Sequence, residues 1–336
     1  MTRANEHGGA LDAMRELFPD APDPWIDLST GINPWPWPLA GSEDDTPYRL
    51  PTRSDRARCA AAMARVFGAP EQAVLVAPGS EILIRLLPTL LHPQSVTVLS
   101  PSYGDHAQVW RASGCRVVET SNPLDDADHA DAVVICNPNN PDGRRFESAE
   151  LEEARLRLRR RNGWLIVDEA FADLEPGLSV APRADAGNLI VLRSTGKFFG
   201  LAGLRLGALL GPSDLLQSMA ERLGVWSVST PALTAGAAAY ADQAWQTETR
   251  QRLAQARQRL DRLLKGEQCR VVGGTDLFRY VEVDDARGAW QTLAARGVYV
   301  RRFPWTGRHL RIGLPNDPEA EARLLDAIKL LCNLKR

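Results

Sequence analysis

The chain has 336 residues, 44% of them hydrophobic and 24% charged, with a formal net charge of −2 at pH 7. That length can bury a substantial core in one large or two intermixed domains, and so small a net charge gives no electrostatic footprint for nucleic acid. No stretch approaches the ~18 consecutive apolar residues of a membrane span, and the opening Met-Thr-Arg-Ala-Asn-Glu-His lacks the apolar core of a secretory signal.

The five cysteines are scattered, with no Cys-x-x-Cys, and the five histidines show no metal-ligand spacing. The expectation is a cytoplasmic protein with reduced thiols and no metal site.

In chain order, Asn33-Pro-Trp-Pro-Trp-Pro is too proline-rich for helix or strand. Gly79-Ser-Glu precedes a helical run over 82–91. Residues 95–100 read as a buried strand, followed by a helix near 105–113 and a strand at 116–119. Residues 132–136 form another strand, closed by Asn137-Pro-Asn-Asn-Pro-Asp-Gly143. The arginine-rich run 155–161 falls on a helix that opens with Glu147, Glu150, Glu152 and Glu153, which makes it a solvated helix face. Strands at 164–168, 188–192 and 207–211 follow. Short apolar runs separated by helices predict a mostly parallel, doubly wound α/β sheet, whose ligands collect at the carboxyl ends of the strands. Three segments sit at those ends: 137–143, Asp168-Glu-Ala-Phe171, and Ser194-Thr-Gly-Lys197.

From about 230 to 265 the pattern turns long-helical and Ala/Gln/Arg-rich. Strands and helices beyond it suggest a smaller α+β unit. The expected division is a large domain at 35–230 and a small domain at 231–336, with an N-terminal arm at 1–34 over the active site.

Lys197 is one of four lysines in a chain with thirty-six arginines. Lys265, Lys329 and Lys335 lie in polar C-terminal helical stretches, whereas Lys197 follows a buried strand and precedes a glycine-punctuated segment. An arginine cannot form a Schiff base, and a lysine can.

Together, Asn137-Pro-Asn-Asn-Pro-Asp-Gly, Val167-Asp-Glu-Ala-Phe and Ser194-x-x-Lys, with Arg205 eight residues on, resemble the fold-type I pyridoxal-phosphate enzymes of the aminotransferase class I/II group. The resemblance implies pyridoxal 5′-phosphate as cofactor, carried by Lys197, with Asp168 on the pyridine nitrogen. It further implies Asn140 on the ring hydroxyl and Tyr103 stacked on the ring. Gly79, Ser80, Glu81, Ser194 and Arg205 would form the phosphate cup, at a helix N-terminus that favours anions. Neither Gly196-Lys197 nor Gly200-Leu-Ala-Gly has the spacing of a nucleotide-binding loop.

A narrower resemblance rests on Glu6-His-Gly-Gly, Ser29-Thr-Gly-Ile-Asn-Pro, Asp168-Glu-Ala-Phe, Leu192-Arg-Ser-x-x-Lys-Phe and Trp226-Ser-Val. These are similar to the L-threonine O-3-phosphate decarboxylase family of cobalamin biosynthesis. That likeness implies a homodimer with active sites at the interface, and a small phosphorylated amino acid as substrate. Arg311 and Arg301 would bind it, with His7, Gly8, Gly31 and Arg144 as further contacts. Two departures stand out. Phe171 occupies the place of the family's ring-oxygen tyrosine, and Arg49-Leu50-Pro replaces the relatives' Arg-Tyr-Pro. Two other readings stay open: a histidinol-phosphate aminotransferase-like enzyme, and a non-catalytic partner that delivers its ligand to a cobalamin assembly enzyme.

Overall fold

In the computed structural model, which describes residues 8–39, 48–265 and 269–333, the chain opens with helix α1 (Leu11–Leu17) and strand β1 (Ile26–Leu28). Helix α2 (Arg53–Phe67), strand β2 (Val74–Ala77), α3 (Ser80–Leu91), β3 (Ser95–Leu99), α4 (Gly104–Ala112) and β4 (Arg116–Thr120) follow. Next come β5 (Ala132–Cys136), α5 (Ser148–Arg159), β6 (Trp164–Asp168), β7 (Leu189–Ser194), β8 (Gly207–Leu210), α6 (Ser213–Leu223) and α7 (Thr230–Ala241). The remainder is α8 (Gln243–Lys265), β9 (Arg270–Thr275), β10 (Phe278–Glu282), α9 (Ala286–Ala294), β11 (Val298–Arg302), β12 (His309–Gly313) and α10 (Pro318–Asn333). No helix among the described residues is long and apolar enough to cross a membrane.

The chain forms two compact units, one of residues 36–140 and 144–246, the other of residues 1–35, 141–143 and 247–336. The first holds a seven-stranded sheet in the order β2-β8-β7-β6-β5-β3-β4. All its pairings are parallel except those of β8, which runs antiparallel to both β2 and β7. Every residue of β3 and β5 is buried, as a sheet covered on both faces requires. Leu83, Leu87, Val96, Trp110, Val134, Ile166 and Leu192 belong to its hydrophobic core.

The second unit holds a five-stranded sheet in the order β1-β11-β12-β10-β9, with β1 parallel to β11 and the other pairs antiparallel. Residues 141–143 are stitched to it. The Gly274 amide donates to the Asp142 carbonyl at 2.7 Å, and a Cβ on Gly143 or Gly273 would fall 2.1 Å from a backbone oxygen. Only glycine allows that approach.

The long-helical stretch over 230–265 is two helices. Asp242 leaves helical geometry at φ −83°, ψ 76°, and its carboxylate accepts the Trp245 amide at 3.0 Å, starting a new helix. Gln246 secures the break by donating to the carbonyls of Ala239 and Tyr240.

Helix α2 has little apolar stripe and depends on its start. Thr52 and Asp55 form a capping box, and the buried Asp55 carboxylate also accepts from Arg49 at 2.6 Å and Arg58 at 2.7 Å. Arg49 first, then Thr52, hold that carboxyl well below its ordinary value of 3.8. A depressed folded pKa gives stability that is present above the unfolded value and lost as pH falls towards the folded one. Asp55→Asn should therefore narrow the gap in melting temperature between about pH 7 and about pH 3. An unchanged gap would contradict this account of the cap.

Candidate active site

Parallel pairing brings the ends of β5, β6 and β7 to one edge, with Cys136 opposite Asp168 and Asp168 opposite Leu192. Asp168 is 5% exposed at the end of β6. Its Oδ1 accepts the Ala170 amide at 3.0 Å, and its Oδ2 lies 2.9 Å from Nε2 of the buried His106. Burial alone would favour neutral imidazole. The Cys136 sulfur and the Asp168 carboxylate outweigh it, raising the ring's pKa to about 10. Ligand atoms of His106, Cys136 and Asp168 lie within 4.8 Å of one another. The 2.9 Å His106–Asp168 contact is a direct hydrogen bond. A metal bound at ordinary distances would hold those two atoms about 3.3 Å apart.

Lys197 lies just past β7 and is half-buried, with Nζ 5.6 Å from the centroid of the Phe171 ring. The two residues after it, Phe198 and Phe199, are fully buried against Trp245 and Tyr240. The Phe199 carbonyl accepts the Trp37 amide at 2.9 Å. Packing on its carboxyl side thus fixes where the lysine leaves the backbone.

An anion cradle lies on the same edge. Helix α3 begins after Gly79 at φ 83°, with no side-chain cap on its amides. A Cβ on Gly79 would stand 3.0 Å from Nη2 of Arg205, and one on Gly207 would stand 3.0 Å from the Ser80 nitrogen. Arg205 itself holds a left-handed φ of 51°. Ser194 ends β7 directly opposite Gly207. Backbone N–H groups without a side-chain cap thus begin α3 beside the Arg205 guanidinium, with Ser194 across from Gly207, which is anion-binding chemistry. The Glu81 side chain is turned elsewhere, to Arg85 at 2.6 Å and the Tyr103 hydroxyl at 3.0 Å. That hydroxyl also lies 3.1 Å from Asp105. Burial, then the two carboxylates, raise its pKa.

Three asparagines follow β5, and their surroundings separate them. Asn137 pairs with the Phe146 backbone, and Asn139 with the Pro101 carbonyl and the Ser102 hydroxyl. Asn140, half-buried, follows them at the strand end. Arg144 is exposed, stacks at 4.4 Å on Phe146 and donates to the Ser121 carbonyl.

In the other unit, Arg311 on β12 is 5% exposed and donates to the Ser29 carbonyl at 2.5 Å. Its Cα is opposite that of Arg301 on β11. Burial and then the Arg301 charge pull its pKa down to about 9, against Asp27. Gly31, at φ 63°, is so close that a Cβ there would lie 3.7 Å from the Arg311 guanidinium carbon. Gly8 packs on Ser29, where a Cβ would meet the carbonyl at 2.5 Å, and the Gly9 amide donates to the Ser29 hydroxyl. These residues form a basic corner suited to a carboxylate. His7 lies outside the described residues.

His106 belongs to none of the motifs that mark the other site residues in the sequence. Its signal was the Tyr103-x-x-His106 spacing, which places both residues at one helix start.

The family model for aminotransferase class I and II matches residues 43–328. The chain belongs to the class I and II aminotransferase family. Threonine-phosphate decarboxylase of Pseudomonas aeruginosa is 42% identical over 321 residues, covering 95% of this chain and 96% of that protein. Threonine-phosphate decarboxylase of a Sinorhizobium species is 40% identical over 333 residues, covering 96% and 97%. The structure of histidinol-phosphate aminotransferase from Sinorhizobium meliloti, in complex with pyridoxal-5′-phosphate, matches with a TM-score of 0.84. At 18% identity, covering 97% of this chain and 95% of that one, the likeness is one of fold. The chain has the fold-type I α/β architecture.

Removing His106 would leave the buried Asp168 carboxylate without its ring partner. His106→Ala should cost about 3–5 kcal/mol of unfolding stability near pH 6. Because the folded pKa is raised, that contribution is full below the unfolded value and fades as pH climbs through about 10. Urea denaturation at both ends of this window checks it; a penalty that grows with pH would be contrary.

Proposed function

We propose that this aminotransferase-family chain is a pyridoxal-5′-phosphate-dependent decarboxylase. Its substrate is L-threonine O-3-phosphate and its product (R)-1-aminopropan-2-yl phosphate, for cobalamin biosynthesis. The observation that carries the reading is a lysine, a buried carboxylate and an uncapped helix start beside Arg205, all on one sheet edge. The two relatives at 42% and 40% identity over nearly the whole chain support the choice of reaction.

The cradle fits the cofactor's phosphate. Gly79 and Gly207 leave the space that a Cβ would fill beside Arg205 and the Ser80 nitrogen. In this reading Gly79, Ser80, Glu81 (through its amide), Ser194 and Arg205 hold the phosphate. Asn140 would hydrogen-bond the ring hydroxyl, Tyr103 would lie against the ring, and Lys197 would hold the cofactor covalently. Asp168, itself fixed by His106, keeps the pyridine nitrogen protonated. When bound, the cofactor supplies a sink for the electron pair released at the substrate's Cα.

The rest falls to orientation. The groups that hold and rotate the substrate would choose which bond at its Cα breaks. Arg311 and Arg301 take the substrate carboxylate, and His7, Gly8, Gly31 and Arg144 are assigned to the rest of the substrate, its phosphate above all. After carbon dioxide leaves, Lys197 returns a proton to the carbon that carried it.

A cytoplasmic homodimer with active sites at the interface completes the proposal. The dimer's support is a set of exposed apolar side chains, Tyr48, Leu50, Val225 and Trp226, between 60% and 88% exposed. They are joined through α2 and α7 by Arg56 donating to the Val225 carbonyl and Thr230 to the Arg49 carbonyl.

Threonine phosphate incubated in D₂O without a keto acid should give carbon dioxide and an amine phosphate carrying one solvent deuterium at the carbon that had borne the carboxylate. Amino transfer that requires a keto acid would move the assignment to an aminotransferase; tight binding without turnover would make the chain a delivery partner. Arg311→Lys should raise KM on the order of 10- to 100-fold, because one ammonium cannot reproduce a bidentate fork. An unchanged KM would remove Arg311 from the substrate site.

A further inference from the structure

Behind Lys197, within the same unit, lies a charged group that none of these steps uses. Arg193 on β7 is 2% exposed and bridges two buried carboxylates, Glu169 at 0% and Asp173 at 1%. Its Nη1 donates to Glu169 Oε2 at 2.8 Å, and its Nη2 donates to Asp173 Oδ1. The Ser179 hydroxyl donates to Glu169 at 2.6 Å and the Val180 amide at 2.7 Å. The guanidinium carbon rests 4.1 Å from the centroid of the Phe67 ring.

Three buried charges are a costly way to fill space, since apolar residues of the same volume would stabilise the fold as well or better. What such a network does supply is fixed geometry. Here the geometry is specific. Glu169 and Asp173 flank Phe171 by two residues on each side, and Arg193 stands four residues before Lys197. One guanidinium therefore ties the loop that carries Phe171 to the strand that delivers Lys197. The Phe171 ring centroid is 5.6 Å from the lysine nitrogen, within reach of a cation–π interaction.

We propose that Arg193 is a positioning residue: by gripping Glu169 and Asp173 it holds the face of Phe171 against Lys197 and so favours positive charge on that nitrogen. The inference rests on the reading that Lys197 carries the cofactor. Other titratable groups at the network are Tyr240 from α7 and, beyond it, Cys59 from α2. Burial raises both, Cys59 to about 12, so neither titrates near neutrality. Burial also raises Glu169, with Arg193 opposing it. Among the described residues, Asp168 with its partner His106, and Arg205, are charged groups on the sheet edge with Lys197. The sign separates the two ways in which Arg193 could act. Loss of its charge alone would raise the pKa of a nearby nitrogen, whereas loss of the aromatic face lowers it.

The test is the pH midpoint of the visible absorbance of the holoenzyme. Arg193→Lys keeps the charge but cannot bridge both carboxylates, and should lower the midpoint by about half a pH unit. Phe171→Leu should lower it equally, and the double variant should move no further than either single one. A midpoint unchanged or raised in Arg193→Lys, or shifts that add in the double variant, would overturn the proposal. If Arg193→Lys does not fold, Asp173→Asn releases one arm of the grip; its lost negative charge also lowers the midpoint, so it is read through the double variant with Phe171→Leu, in which a charge effect adds and a lost grip does not. A holoenzyme with no titrating visible band would overturn the Lys197 reading as well; a normal band indifferent to Arg193 overturns only this one.

Discussion

The site depends on one constraint: parallel pairing of β5, β6 and β7. Parallel strands end on the same side of the sheet, and the register here sets Cys136, Asp168 and Leu192 in one row. Three loops must therefore leave from a single edge, carrying Asn140, Phe171 and Lys197. The antiparallel β8 completes the arrangement, because its pairing with both β7 and β2 brings Gly207 to Ser194 and to the start of α3. A lysine, a carboxylate and an uncapped helix start thus converge through sheet topology, with no long-range search by flexible side chains.

Charge at this edge is buried only where it is paired. Asp168 has His106, Glu169 and Asp173 share Arg193, and Asp105 has Arg85 and the Tyr103 hydroxyl. Each pairing costs desolvation and returns orientation, which is what differential recognition of reacting atoms needs. The basic corner of the other unit follows a different rule. Arg311 and Arg301 lie in register on neighbouring strands, and burial with like charge outweighs the pull of Asp27. A corner of that kind favours an anionic ligand, as the proposed substrate's carboxylate would be.

Much of the sheet could be read from the sequence because β3, β5, β6 and β7 are unbroken apolar runs between turn-forming residues. Strands β1 and β2 have only three and four residues, too short for any periodicity to register. The break at Asp242 was hidden because alanine- and glutamine-rich flanks read as helix on both sides, while the bond that restarts the helix comes from a single carboxylate. Lys197 stood out through rarity, and Asp168 through its place at a strand end. His106 did not, since its partner lies 62 residues away and only the fold joins them. Arg193 was likewise one arginine among many until its two carboxylates were seen to be buried with it.

The central claim is that the cofactor-bearing edge breaks the bond to the substrate's carboxylate and leaves its amino group in place. A single-turnover experiment tests this most directly, with holoenzyme in excess over threonine phosphate and no keto acid present. Carbon dioxide and the cofactor's absorbance are followed together. The account predicts one carbon dioxide per substrate and a spectrum that returns to its starting form. Lasting conversion of the cofactor to its amine form, without release of carbon dioxide, would contradict it.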